Sequence, residues 1–265
     1  MITPILMLGA GRMGGAMIEG WLKAKAFAPA DLMIRDPDAG EAAAKAVAKG
    51  AKLNPPDAEL ARAKTVVLSV KPQNWREAAA EVASLLSPDV VVVSIAAGVK
   101  ATDIGQAFGG RPVARAMPTT AAAIRQGAAS IYAEDRAALA VAHALFQPLG
   151  TVIDLADETQ MHAATAVSGS APAYLYAFIE ALEAAGASAG LAPKEAQRLV
   201  RATLTGSVAL LAKSGEEPMD LRRQVTSPGG TTEAALNVLL GPRGLQDLMR
   251  EAVAAAIRRS KELGG

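Results

Sequence analysis

The stretch Ile5-Leu6-Met7-Leu8-Gly9-Ala10-Gly11-Arg12-Met13-Gly14 decides the fold. Four apolar residues in a row suit a strand buried on both faces. A helical pattern follows directly, carried by Met13, Met17, Ile18, Trp21 and Leu22. A GxGxxG spacing is a weak signal alone, but between a strand and a helix it reads as a dinucleotide-binding turn. Gly9 permits the tight turn, Gly11 lets backbone approach a pyrophosphate, and Gly14 lets helix and strand pack closely. The helix tip offers N–H groups and a favourable dipole to phosphate, and Arg12 can add a charge there. A glycine-rich turn that holds no ligand is the plain alternative. Met13 is placed with the cofactor and also suits the core beside Met17.

Outward from this turn, short β-like runs alternate with Ala-rich helical stretches. Strands are expected at Leu32 to Ile34, Thr65 to Val70, Val90 to Ile95, Pro112 to Met117, Ala129 to Tyr132 and Thr151 to Leu155. Helices are expected at Glu41 to Lys49, Asn74 to Leu86 and Arg136 to Phe146. This alternation implies a mostly parallel sheet flanked by helices. Near Asp157 the pattern changes to long helices: Glu158 to Val167, Ala171 to Ala189, Lys194 to Lys213, Thr231 to Leu240 and Leu245 to Leu263. The expected fold is therefore α/β, an N-terminal Rossmann-like sheet followed by an all-α C-terminal region. The division is set at residues 1–155 for the dinucleotide and 156–265 for dimerisation and substrate. Helices apolar on more than one face need a partner, so this second region invites self-association.

Composition agrees. Of 265 residues, 51% are hydrophobic and 20% charged, which supports a sizeable core. Aromatics are only 3%, so aliphatic residues must fill that core. There are 27 basic and 26 acidic residues with no basic block, so no nucleic-acid partner is expected. The chain has no cysteine, which excludes disulfides, thiolate catalysis and Cys-based zinc sites. No metal is expected. A reducing compartment, the cytoplasm, is the expected location. The opening MITPILMLGAGRMGG lacks a basic region and does not read as a signal peptide, and no apolar run is long enough to span a membrane.

Several segments point to ligands. In open α/β sheets the carboxyl edge is where ligands bind. Ser69-Val70-Lys71-Pro72, Ala96-Ala97-Gly98-Val99 and Arg115-Ala116-Met117-Pro118-Thr119 all end strands at that edge. Lys71 is either a ligand contact or a solvated strand end, and the AAG run is either a close approach to cofactor or an ordinary turn. The second strand ends in Arg35-Asp36. An acid here suits a ribose 2′-hydroxyl and an Arg suits a 2′-phosphate, so NADPH is expected with NADH open. Alternatively, Asp36-Pro37-Asp38 caps the next helix. Far along the chain, Ser227-Pro228-Gly229-Gly230-Thr231-Thr232 opens a helix. Its N–H donors and hydroxyls can hold a small carboxylate, or its threonines are structural N-caps.

Together GAGRMG at 9–14, SVKP at 69–72, AAG at 96–98, RAMP at 115–118, SGSAPAY at 168–174 and QVTSPGGTTEAAL at 224–236 resemble the pyrroline-5-carboxylate reductase family. The last stretch is the most specific. The resemblance implies a Rossmann domain, then helices that interleave in a homodimer, with dimers assembling further into decamers. It implies a substrate carboxylate held around Gly230, Thr231 and Thr232, with Ser227 adding a hydrogen bond. It places the Thr232 hydroxyl, the candidate catalytic group, against the ring nitrogen. It sets Val70, Lys71, Pro72, Ala97 and Gly98 near the cofactor and Asp57 near its adenosine end. Two departures stand out: Thr119 replaces the family's usual Asn, and Arg35-Asp36 replaces small hydroxyl residues.

The implied reaction is hydride transfer from a nicotinamide to the C=N carbon of a cyclic imine, yielding L-proline, the last step of its biosynthesis. A protonated imine needs no metal or covalent nucleophile, which agrees with two His and no Cys. His143 and His162 are read as structural, as are Tyr174 and Tyr176, and Ser168 and Ser170 as residues that cap or soften a helix. The rival enzyme class is a β-hydroxyacid dehydrogenase, which uses a helix Lys as acid–base; this chain has no Lys between Lys100 and Lys194. A non-catalytic dinucleotide-binding protein is the other alternative.

Overall fold

A computed structural model describes residues 2–264. The chain forms two compact units, one running to Ser170 and resuming at Ala255, the other covering Ala171–Ala254. The first unit thus runs past residue 155.

The first unit is built on strands β1 (Ile5–Leu8), β2 (Leu32–Arg35), β3 (Lys52–Leu53), β4 (Thr65–Leu68), β5 (Val91–Ser94), β6 (Val113–Pro118), β7 (Gly127–Tyr132) and β8 (Gly150–Asp154). They form one sheet in the order β3-β2-β1-β4-β5-β6-β7-β8. All neighbours pair parallel except β6 and β7, which run antiparallel. The expected mostly parallel sheet is therefore present. Strand β3 lies outside the expected strands: two residues, Lys52 and Leu53, give no alternation to read. The helices of this unit are α1 (Arg12–Ala24), α2 (Glu41–Val47), α3 (Asp57–Leu60), α4 (Trp75–Val82), α5 (Ala101–Ala107), α6 (Arg136–Phe146) and α7 (Gln160–Ala164). Helices α3 and α5, of four and seven residues, also escaped the periodicity reading.

Side-chain alternation along each strand sends successive residues to opposite faces. Ile5 and Met7 of β1 join Val67, Val91, Val93 and the α1 residues Met17, Ile18 and Trp21 in one core layer. Leu6 and Leu8 join Val66, Leu68, Val92, Trp75, Ile104 and Phe108 in the other. The Trp21 indole N–H donates to the Leu145 carbonyl at 2.8 Å, which satisfies its only polar atom inside the core. Gly20 is equally tight: a Cβ there would lie 2.3 Å from the Ala122 carbonyl oxygen.

After α7 the chain makes a π turn over Thr165–Gly169. The Thr165 hydroxyl donates to the Met161 carbonyl at 2.7 Å, and the Ser168 hydroxyl to that of Ala164 at 2.8 Å. Gly169 lies against Met117, where a Cβ would be 3.1 Å from its sulfur.

The second unit holds α8 (Ala171–Ser188), α9 (Pro193–Ser214), α10 (Pro218–Gln224), α11 (Thr231–Leu239) and the first part of α12 (Leu245–Gly264). Pro218 starts α10, where its missing N–H costs nothing. Helices α8 and α9 lie against each other, tied by the Arg201 guanidinium on Glu183 at 2.7 Å. No helix among the described residues is long and apolar enough to cross a membrane.

Candidate functional site

The strand order reverses at β1, between β2 and β4, and the crevice outside the carboxyl ends of such strands is where α/β sheets bind ligands. A cleft of about 740 Å³ opens there, within the range of small-molecule and cofactor sites. Gly9, Gly11, Arg12, Met13, Arg35, Asp36, Val70, Lys71, Pro72 and Ala97 line it, which brings together ten of the expected cofactor residues.

The three glycines behave differently. Gly9 has φ +90°, and a Cβ there would press on Ser69 backbone at 3.0 Å. Gly14 would place a Cβ 2.6 Å from the Gly9 carbonyl oxygen, so helix and turn touch backbone to backbone. Gly11 has open space beside it, the room a closely approaching pyrophosphate needs. Gly11 is also the N-cap of α1, no side chain caps this tip, and the first turn carries no acid. No acid of the helix's own first turn competes for its N–H groups, while the Asp36 carboxylate holds the Ala10 N–H of the same loop. These residues fit a dinucleotide.

At the end of β2, Asp36 does not cap α2, whose N-cap is Gly40 without a side-chain bond. Its carboxylate instead accepts from Ala10 N–H at 2.5 Å and Asp38 N–H at 2.8 Å. The capping alternative is thus corrected: the acid reaches back to the glycine loop. Arg35 forks onto Asp57 with two bonds of 2.8 and 2.9 Å to one oxygen. Asp57, outside the cleft lining, therefore acts on Arg35.

Gly98 also lies outside the cleft lining. It has φ +82°, and a Cβ would fall 2.5 Å from the Ser260 carbonyl oxygen and 2.7 Å from Gly264 N. Its missing side chain makes room for the end of α12, and it borders a smaller cavity of about 490 Å³ with Lys100, His162 and Lys261. Burial, Arg115 and Lys261 hold the His162 imidazole below its ordinary value, against an opposing pull from Glu158. His143 pairs with Asp154 at 2.7 Å on an exposed face away from the cleft lining.

Thr119 is explained by its contacts. Its hydroxyl accepts from Ala128 N–H at 3.0 Å, and its own N–H donates to the Ala128 carbonyl at 2.9 Å. The residue locks β6 to β7 and is buried.

The sequence points to the segments that carry Ser69, Met117 and Pro118 without assigning these residues to the cofactor, and reads Pro37 and Asp38 only as part of a helix cap; Asn74, Ile95, Thr165, Gly169 and Ser170 are further cleft residues. Ile95 directly follows β5 on the carboxyl edge, a signal that could have found it, whereas Asn74 closes a 3-10 turn at Pro72–Asn74. Thr165, Gly169 and Ser170 arrive through the π turn, which carries no periodicity to read.

In the second unit, Gly230 is the N-cap of α11, so Thr231 and Thr232 are its first helical residues and neither caps it. The structural-cap alternative for the threonines is corrected. Gly230 N–H donates to the Ser227 carbonyl at 3.0 Å and Gly229 N–H to Glu233 at 2.8 Å. The N–H groups of Thr231 and Thr232 meet no acceptor among the described residues. The Ser227 hydroxyl oxygen sits 2.6 Å from where a Gly230 Cβ would be, so only glycine lets it come this close.

Residues 158–263 match the family model for pyrroline-5-carboxylate reductase dimerisation, and residues 4–98 that for coenzyme F420-dependent NADP oxidoreductases. The chain is 40% identical to a pyrroline-5-carboxylate reductase of Pseudomonas aeruginosa, over 99% of this chain and 98% of that one. It matches the structure of a pyrroline-5-carboxylate reductase from Coxiella burnetii with TM-score 0.88 and 29% identity, covering 100% of both chains. It matches a Plasmodium falciparum pyrroline carboxylate reductase with NADP bound at TM-score 0.85 and 26% identity, covering 99% of this chain and 98% of that chain. On this likeness over its whole length, the chain belongs to the pyrroline-5-carboxylate reductase family.

Proposed function

We propose that this protein reduces the C=N bond of 1-pyrroline-5-carboxylate with NADPH to give L-proline. The observation that carries this is the tip of α1, without a side-chain cap and with no acid in its first turn, opening onto the cleft at the strand-order reversal. Bound NADPH supplies the hydride. Gly9, Gly11, Arg12 and Gly14 shape and charge the pyrophosphate end, while Val70, Lys71, Pro72 and Ala97 wall the rest of the cleft. NADH is the second cofactor reading. It is favoured by Asp36, whose carboxylate opposes a 2′-phosphate, whereas Arg35 favours one.

The N–H groups of Thr231 and Thr232 hold the substrate carboxylate, with Gly230 giving close backbone approach and Ser227 a hydroxyl. The Thr232 hydroxyl hydrogen-bonds the ring nitrogen and passes it a proton directly or through water. The protein acts as a homodimer. The dimer forms through the C-terminal helices, whose exposed Leu182, Leu199, Val208 and Leu210 supply apolar surface for it, and dimers assemble into a decamer. The proposed compartment is the cytoplasm, on the cysteine-free composition.

The test gives purified protein pyrroline-5-carboxylate with NADPH or NADH and follows loss of reduced-cofactor absorbance. Turnover is expected. Cofactor binding without oxidation would favour a binding protein, and turnover of 3-hydroxyisobutyrate with oxidised cofactor would favour the dehydrogenase.

A further inference from the structure

The loop between β5 and α5 supplies Ile95 and Ala97 to the cleft, and it is gripped from two sides. Behind it, the end of α12 fills the space beside Gly98. In front stands Glu158, from the segment after β8. One of its carboxylate oxygens accepts Ala101 N–H, the first of α5, at 2.6 Å, and also the Arg115 guanidinium at 3.0 Å. Arg115 is 2% exposed, and Glu158 is its carboxylate partner. Two and three residues beyond Arg115 on β6, Met117 and Pro118 form another wall of the cleft.

A single oxygen thus ties one wall of the cleft to another. If the pair served only to hold the fold, apolar side chains of similar volume could replace it, because a buried ion pair is often no better than a hydrophobic one. No apolar replacement can accept the Ala101 N–H. We infer that Glu158 is a positioning residue for the bound cofactor: its bridge from Ala101 to Arg115 sets the Ala97 wall against the Met117–Pro118 wall. The inference rests on the reading that this cleft holds NADPH. Small misplacements of binding groups have large effects, so the consequence should be visible in affinity.

The experiment titrates NADPH by fluorescence into the unaltered protein, Glu158→Gln and the double variant Arg115→Met/Glu158→Leu. Urea unfolding and hydrogen exchange over residues 95–101 are measured alongside. Glu158→Gln is expected to weaken NADPH binding about tenfold and to speed exchange at Ala101. The double variant, free of the uncompensated buried charge, is expected to regain the urea midpoint and not the affinity. Recovery of both would show a purely structural pair and overturn the inference. Unaltered protein and Glu158→Gln binding NADPH equally would overturn it alone. Failure of the unaltered protein to bind NADPH would overturn the reductase reading and this inference with it.

Discussion

Strands β4 and β5 bury every residue they contain, whereas α8 buries none of its 18. Both are rich in apolar side chains. In the sheet unit, Val66, Val67, Val92 and Val93 are 0% exposed, covered by helices of the same unit. In α8, Leu175, Tyr176 and Phe178 remain exposed, and α11 leaves Val238 77% exposed. The lesson is that the two halves solve the burial problem at different levels. The sheet unit closes its core within one chain, while the helical unit carries apolar surface beyond what a monomer needs to fold. Large exposed apolar side chains in such number suit an interaction surface. The dimerisation match over residues 158–263 falls on this region.

The contrast can be broken most sharply by charging the open surface. Leu182→Glu with Val208→Glu is expected to convert the assembly to monomers in sedimentation and to abolish most turnover, leaving NADPH binding in place. Retained assembly would mean that these helices cover nothing. A smaller effect is expected from crowding the closed core. Gly20→Ala should cost about 1–3 kcal/mol in urea unfolding, because the new methyl meets the Ala122 carbonyl oxygen and a Leu149 methyl at 2.3 and 2.5 Å. The same substitution at exposed Gly206, with nothing within 4 Å, should not destabilise. Next, Thr232→Ala should lower kcat/KM about tenfold, roughly 1.4 kcal/mol of transition-state stabilisation, with the unfolding midpoint unchanged. An unaltered kcat/KM would remove this hydroxyl from the reaction.

The smallest effect concerns His162. Its depressed affinity for protons, caused first by burial, means that the folded state binds fewer protons than the unfolded chain. Stability should therefore fall as pH drops below the ordinary His value of 6.5 and should level off below the folded-state value. His162→Gln should flatten that slope in urea midpoints measured across the range. An unchanged slope would assign the loss to other groups.

Much of this was legible beforehand, for physical reasons that differ by residue. The run Ile5–Leu8 followed by glycines is a local signal, and it found the turn, the strand and the first helix together. Asp36 was visible as a residue but not in its partner, because its bond to Ala10 spans 26 positions. Gly98 looked like its neighbour Ala97, yet the two face different surroundings, and only the path of α12 separates them. The π turn at Thr165–Gly169 adds a residue to a helical turn, and hydrophobic spacing cannot register such an insertion.

The two tryptophans have a practical consequence. Trp21 and Trp75, 2% and 5% exposed, both lie in the sheet unit, and Ala171–Ala254 contains none. Indole emission therefore records the melting of the sheet alone. Loss of the helical unit must be watched by another signal, such as far-ultraviolet ellipticity, and disagreement between the two optical traces would time the separation of the halves.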